Sequence, residues 1–242
     1  MAATIDISDL QKKFSHISRE LLPSITAAAV NRTAEYVKDT ETQQIPQHLD
    51  RPTPFTQKAV FVGRYARKSG PWERDVFLRD QAANGTPPVK YLAPEVYGGP
   101  RRHKRFERAL IAAGIMEPNE WAVTAGSYKT NQYGNIPAGT YTRLLSQVKA
   151  SRDAMQNVTP TSRAKGKRQG KVQYFAARNV PHLRRGIYAR KGEFSLQPVL
   201  LFTTSKPMYP KRFDFRGIAR KAYAEEFARQ FKLQADLRMG RI

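Results

Sequence analysis

Between Asp153 and Glu193 the chain carries no carboxylate and ten cations: Arg163, Lys165, Lys167, Arg168, Lys171, Arg178, Arg184, Arg185, Arg190 and Lys191. Like charges at that density repel, so the segment cannot neutralise itself as it folds. Its cations form a solvated face, or an anion or a partner compensates them. The stretch is the peak of a wider bias, because 42 Lys and Arg against 20 Asp and Glu give the 242 residues a formal charge of +22. Residues 121–242 hold 24 basic and 6 acidic residues, whereas residues 1–120 hold 18 and 14. At 40% hydrophobic, with 12 Phe, 11 Tyr and 2 Trp, the chain is too apolar to remain wholly disordered, and a folded core is expected.

Several classes drop out. There is no Cys, which removes disulfide frameworks, thiolate metal sites and cysteine nucleophiles and makes an intracellular protein the expectation. The first ten residues lack a basic segment leading into an apolar one, and no apolar run approaches the ~20 residues of a membrane span. Neither export by that route nor a spanning helix is expected.

Both ends carry helical periodicity. Leu10, Phe14, Ile17 and Leu21 recur at steps of 4, 3 and 4 behind the candidate caps Ser8 and Asp9. Pro23 predicts a kink or restart, then a second helix over 24–43 whose Ala27, Ala28, Ala29 and Ala34 permit close backbone approach. A last helix is predicted over 214–239 with Asp214 as N-cap. Its Phe215, Ala219, Tyr223, Phe227 and Phe231 are spaced by four, which drifts about 40° per step around a helix, and Leu233 and Leu237 widen the stripe. One flat face does not bury such a stripe. Either a neighbouring subunit covers the rest, or the helix is wholly buried within one domain.

The middle reads as strands and turns. Strands are predicted over 59–66 and 72–78 around a turn at 68–71, with a loop over 84–88. A helix over 101–113 would turn Phe106, Leu110 and Ala113 inward and stop at Gly114. Its first turn collects Arg101, Arg102, Lys104 and Arg105, which the helix macrodipole disfavours, so the cluster is either a solvated basic face or a partner contact. A short strand over 121–125, a polar loop over 127–139 and a helix over 140–155 follow. The Pro, Ser, Gly and Lys content of 159–171 predicts a mobile basic loop. Strands over 172–176, 186–190 and 194–202 then complete an antiparallel sheet, with Lys191-Gly192 as a hairpin turn. The sum is a single α+β domain: N-terminal helices, an antiparallel β-sheet core and a long C-terminal helix, with residues 84–165 as an inserted middle region.

No catalytic constellation emerges. His16, His48, His103 and His182 show no HxH or HExxH spacing, and no metal or cofactor is expected. Lys165-Gly-Lys-Arg-Gln-Gly170 lacks the GxxxxGK[ST] order of a phosphate loop, and no GxSxG elbow exists. Asp75, Asp80 and Glu95 are the trio considered for a metal-dependent nuclease, but alternation places them at strand ends and loops. What the cations do well is neutralise phosphates without reading sequence. Tyr128, Tyr133, Tyr141, Tyr174, Phe175 and Tyr188 lie near them and suit base stacking, although a core role is the better reading for Tyr174 and Tyr188. No helix-turn-helix, zinc-finger or RRM signature is present.

The run Ile17-Ser-Arg19, then Pro23, then Ala27-Ala-Ala-Val-Asn-Arg-Thr-Ala34 resembles the N-terminal signature of phage minor tail protein Z and the related tail-completion, or neck, proteins of long-tailed phages. The layout is similar again at the C-terminus, where a strand containing Pro198-Val-Leu-Leu-Phe202 precedes a basic, aromatic final helix. The resemblance covers 14–40, runs loosely over 186–238 and is absent from 84–165. It implies a non-enzymatic virion protein forming a ring, of six subunits, between the head connector and the tail tube or tail terminator protein, near the end of the packaged DNA. On that reading Arg101, Arg102, Lys104, Arg105, Arg163, Lys165, Lys167, Arg168 and Lys171 face DNA or acidic partners, and Tyr223, Phe227 and Phe231 form the subunit interface. Asn31 and Arg32 either sit at a subunit contact or, for Arg32, pair with Glu35 or Asp39. A free, non-sequence-specific nucleic-acid-binding protein is the alternative.

Overall fold

Helices occupy both ends of the chain and antiparallel strands its middle, the α+β arrangement the periodicity predicts. The structure, a computed structural model, describes residues 8–83, 85–192 and 195–240. Asn84 of the predicted loop, Phe194 of the predicted strand and the Leu10 side chain lie outside what is described. In chain order, α1 (Ser8–His16) passes through a π-turn (Ile17–Leu21) into α2 (Leu22–His48), followed by α3 (Pro54–Gln57), β1 (Val60–Val62), β2 (Val76–Leu78) and α4 (Pro88–Tyr97). Next come β3 (Gly99–Pro100), α5 (Arg105–Ala112), β4 (Trp121–Thr124), α6 (Ala138–Gln147), a 3-10 turn (Ala154–Gln156) and α7 (Pro160–Arg168). Strands β5 (Gln173–Ala177), β6 (Gly186–Lys191), β7 (Ser195–Thr203) and β8 (Met208–Tyr209) precede α8 (Phe215–Met239).

The chain divides into two compact units, Met1–Tyr97 with Lys211–Ile242, and Gly98–Pro210. This differs from one domain with an insertion over 84–165. Strands β5, β6 and β7 join β4 of the middle segment in one sheet, while β1 and β2 pair only with each other, so the sheet belongs to the second unit.

In the first unit, the predicted restart falls at Pro23, which occupies the first turn of α2 directly after the π-turn, without a break in the helical run. Proline has no N–H to return to a carbonyl, and the wide turn before it absorbs the mismatch, with the Leu22 N–H donating to Ile17 O five residues back. At its far end α2 runs past the predicted stop at 43 and carries Pro46 inside. Ile45 is wholly buried and Leu49 packs against the same cluster, so tertiary burial outweighs the local cost of the proline.

Helices α2 and α8 lie antiparallel. Arg238 Nε donates to Ser24 Oγ at 3.3 Å where α8 ends and α2 begins, and Ile45 shares a buried cluster with Phe213, Phe215 and Ile218 at the other end. Buried positions of α2 fall every fourth residue, at Ile25, Ala29, Thr33, Val37, Glu41 and Ile45. On α8 the buried Ala222, Glu226 and Gln234 are likewise spaced by multiples of four. Of the predicted small residues of α2, Ala29 lies on its buried stripe, and Ala27 and Ala34 are buried beside it.

The β1–β2 hairpin pairs Val60 with Leu78 and Val62 with Val76. Its strands are shorter than predicted because a side chain, not a neighbouring strand, satisfies Ala66: Asn31 Nδ2 donates to Ala66 O and the Ala66 N–H donates to Asn31 Oδ1, each at 2.9 Å. Arg74 reinforces the junction, donating to Asn31 O at 3.0 Å and to Glu35 at 2.7 Å. Asn31 is therefore an internal brace, and Glu35 pairs with Arg74 and Lys38 in place of Arg32.

The second unit is built on the antiparallel sheet β4-β7-β6-β5. Leu110 of α5 and Leu144 of α6 meet Ile187, Val199 and Leu200 of the sheet in its core. Each such fully buried aliphatic side chain contributes about 1.5–3 kcal/mol. Where β6 crosses β7, Gly186 is required, because a Cβ there would sit 2.3 Å from the Leu200 carbonyl oxygen.

Both edges of this sheet are closed by side chains. On β4, the Ala122 N–H donates to Glu107 Oε1 at 2.8 Å and Ala122 O accepts from Arg101 Nη2 at 3.3 Å. On β5, the Tyr174 N–H donates to Gln147 Oε1 at 2.6 Å and Tyr174 O accepts from Arg163 Nη2 at 2.9 Å. An acceptor and a guanidinium thus satisfy one residue on each edge, which blunts the edge against strand addition.

Three predicted elements change. The helix expected over 101–113 begins only at Arg105, because Gly99 and Pro100 pair with Tyr209 and Met208 and the Arg101 N–H donates to Pro207 O. The helix expected over 140–155 ends at Gln147, and Lys149 adopts a left-handed φ of 61° just beyond. The loop expected over 159–171 contains α7. Thr159 Oγ1 accepts from the Ser162 N–H as N-cap, and Pro160 occupies the first turn, where its missing N–H costs nothing.

Candidate nucleic-acid interface

Two of the cations expected to face DNA are structural. Arg101 is buried against the fully buried Glu107, with Nη1 and Nη2 each 2.6 Å from a carboxylate oxygen. Burial works against the charge on Glu107, but Arg101 and the N–H groups of Lys104 and Ala122 outweigh it and hold the carboxyl below its ordinary range. Glu107 also supplies the negative charge that the start of α5 favours, which offsets the cations around it. Arg163 is half-buried and spans Gln147 O (3.2 Å) and Tyr174 O (2.9 Å), binding α7 to α6 and β5. Neither guanidinium is available to a polyanion.

The other seven, Arg102, Lys104, Arg105, Lys165, Lys167, Arg168 and Lys171, are exposed, although burial and then Arg101 lower the pKa of the Lys104 ammonium, with Glu107 acting the other way. The second unit holds 20 basic and 5 acidic residues, a formal +15. Its described acids are already engaged: Glu107 by Arg101, Glu120 and Glu117 by Arg185 at 2.8 and 3.7 Å, and Asp153 by the Met155 N–H. The seven exposed cations consequently have no carboxylate partner among the described residues. Lys165, Lys167 and Arg168 lie in the last turn of α7, where the macrodipole favours positive charge. Structure thus holds them out at little cost and without neutralising them.

A cleft on the core side of the sheet escaped the sequence reading. It measures about 540 Å³, and Tyr128, Lys129 and Asn131 of the loop after β4 line it opposite Tyr174, Ala189, Lys191 and Gln197 of the sheet. Tyr174 is buried at its base, 3.4 Å from the Tyr128 hydroxyl, and burial with that neighbour pushes its own hydroxyl up to about 12. The preferred core role of Tyr174 and Tyr188 agrees with their burial. The one sequence signal for the cleft was the Tyr-Lys-Thr-Asn run between Gly126 and Gly134 in the polar loop.

On α8 the stripe Tyr223, Phe227 and Phe231 lies one residue, about 100°, round from the buried positions Ala222 and Glu226. Tyr223 is 50% exposed, Leu233 45% and Leu237 51%, while Phe227 and Phe231 are half-buried. Tyr223 stacks on Phe227 with centroids 5.2 Å apart, and Phe227 meets Phe231 at 6.1 Å. The alternative of a wholly buried last helix does not hold.

Among the described residues no group of three or more His, Asp or Glu could hold a metal ion, so Asp75, Asp80 and Glu95 are not assembled into such a site. No helix among them is long and apolar enough to cross a membrane. Compared with protein-family models, curated proteins and solved structures, the chain matches none.

Proposed function

We propose that this chain is a non-enzymatic structural protein of a tailed-phage particle, forming a homo-oligomeric ring, of six subunits, at the head–tail junction. The observation that carries the reading is the outward stripe of α8, a contiguous apolar and aromatic strip that a single chain leaves half in water. A second copy would cover it, as ring closure through one repeated contact requires. The N-terminal resemblance to tail-completion proteins supplies the position, between the head connector and the tail tube or terminator. The unneutralised cations of the second unit supply the contact with the packaged DNA end or with acidic rims of neighbouring rings.

The test is to locate the protein in purified particles by labelling and to measure its mass in solution against concentration. A ring at the junction, abolished by Tyr223→Glu with Phe227→Glu, is expected. A monomer at all concentrations, absent from particles, would refute the reading. The seven unpaired cations favour one alternative, a free non-sequence-specific nucleic-acid-binding protein. It predicts salt-dependent binding to random DNA by a stable monomer.

A further inference from the structure

The cleft of the second unit has chemistry that the exposed cations lack. Among the described residues no carboxylate lines it, and Lys129 and Lys191 stand exposed at its margin. Asn131 uses its side-chain oxygen internally, accepting from the N–H groups of Tyr133 and Asn135 at 3.0 and 2.9 Å. Its amide NH2 takes no partner among the described residues, so the cleft keeps a free donor. Gln197 is the converse: its Nε2 donates to Ser127 O at 2.7 Å, which leaves its carbonyl oxygen as a free acceptor. Each amide is thus fixed by one half and offers the other. Tyr128 and Tyr174 add aromatic surface.

A ligand that satisfies all of this has an anionic group for the lysines, a flat body for Tyr128, and acceptor and donor atoms for Asn131 and Gln197. At about 540 Å³ the space falls within the range of small-ligand sites and is far too small for a duplex. We propose that this cleft binds a single nucleotide, with its phosphate between Lys129 and Lys191 and its base edge against Asn131 and Gln197. The same chemistry is presented by a free mononucleotide and by the terminal nucleotide of an unpaired strand. The strand-end source rests on the reading of this unit as DNA-facing; nucleotide binding itself does not.

Titration calorimetry of the full chain with dTMP, dAMP and inorganic phosphate tests the cleft, and competition with labelled blunt duplex or with duplex bearing a single-stranded overhang separates the sources. Both nucleotides are expected to bind more tightly than inorganic phosphate. Lys129→Ala with Lys191→Ala is expected to weaken them by about tenfold or more, the effect of removing a charge-assisted hydrogen bond. Asn131→Asp keeps the oxygen that braces the loop but replaces the free donor with an anion, and should weaken nucleotide binding with the thermal midpoint unchanged. Overhang competition by dTMP would identify strand ends as the source, and dTMP binding without such competition a free nucleotide. Nucleotides that bind no better than phosphate, or variants that bind them as the parent does, would overturn the proposal. Duplex binding without nucleotide binding removes the cleft and spares the DNA-facing reading, whereas nucleotide binding without duplex binding does the reverse.

Discussion

Glu41 sits in the middle of the buried stripe of α2 with 0% exposure, and neither carboxylate oxygen has a hydrogen-bond partner. Burial raises its pKa to about 8; the Ala219 N–H acts weakly the other way, and Asp214 adds to the rise. The folded chain therefore holds a proton on Glu41 that the unfolded chain releases near 4.5. With the folded pKa raised, stability is fully present below the unfolded value and falls as pH rises through the folded one. At about 1.4 kcal/mol per unit, the cost is about 3 kcal/mol at pH 7 and about 5 kcal/mol above pH 9. Glu41→Gln keeps the shape and cannot ionise, so its stability should gain on the parent as pH rises from about 5 to 8 and level off above. Urea unfolding followed by far-UV circular dichroism, repeated at half-unit steps, measures the difference. Other titrating groups are common to both proteins and cancel. Parallel stability curves for the two across that range would show that Glu41 is solvated or partnered in solution and would refute the reasoning.

The second unit should behave in the opposite sense. Glu107 and Glu120 have lowered pKa values, so their stabilisation is present above the ordinary carboxylate range and is lost as pH falls through the lowered values, an acid transition absent near neutrality. Arg101→Ala leaves Glu107 buried and alone and is expected to cost about 3–5 kcal/mol in denaturant unfolding. Gly186→Ala drives a Cβ into the Leu200 carbonyl and should cost about 1–3 kcal/mol or prevent folding of the sheet, as read by amide exchange of β6 and β7. Arg163→Ala should lower the thermal midpoint by the equivalent of about 1–3 kcal/mol, whereas Lys165→Glu with Lys167→Glu should leave it within about 0.5 kcal/mol. The lysine pair should instead flatten the salt dependence of DNA binding, by about one unit of slope for each phosphate no longer neutralised.

Legibility of the candidate interface was uneven. Lys165, Lys167, Arg168 and Lys171 were legible as exposed cations because no acid lies near them in sequence and none of the described acids pairs with them. Arg101 and Arg163 belonged to the same runs of charge but turn inward, because each finds a carbonyl on an edge strand that sequence spacing does not reveal. The helix over Pro160–Arg168 was signalled by Thr159-Pro160, yet its Gly and Lys content resembles that of a loop. The cleft had almost no linear signature, since its walls come from a loop and three strands far apart in the chain.

By itself the sequence determined what depends on local periodicity and turn chemistry: the two terminal helices, the β1–β2 hairpin, the strands of the larger sheet and the surplus of positive charge. Neighbouring residues decide these, because a repeat of four or of two sets a face and Gly or Pro ends it. Tertiary structure alone decided that the ten cations between Asp153 and Glu193 divide into internal braces and free charges. Arg163, Arg178 and Arg185 reach Tyr174 O, Gly114 O and Glu120, whereas Lys165, Lys167, Arg168 and Lys171 pair with no acid among the described residues. The same packing left Glu41 buried, with neither carboxylate oxygen in a formed hydrogen bond. The physical reason is common to both outcomes: a charge is neutralised by what lies within a few ångströms of it, and distance along the chain does not report that.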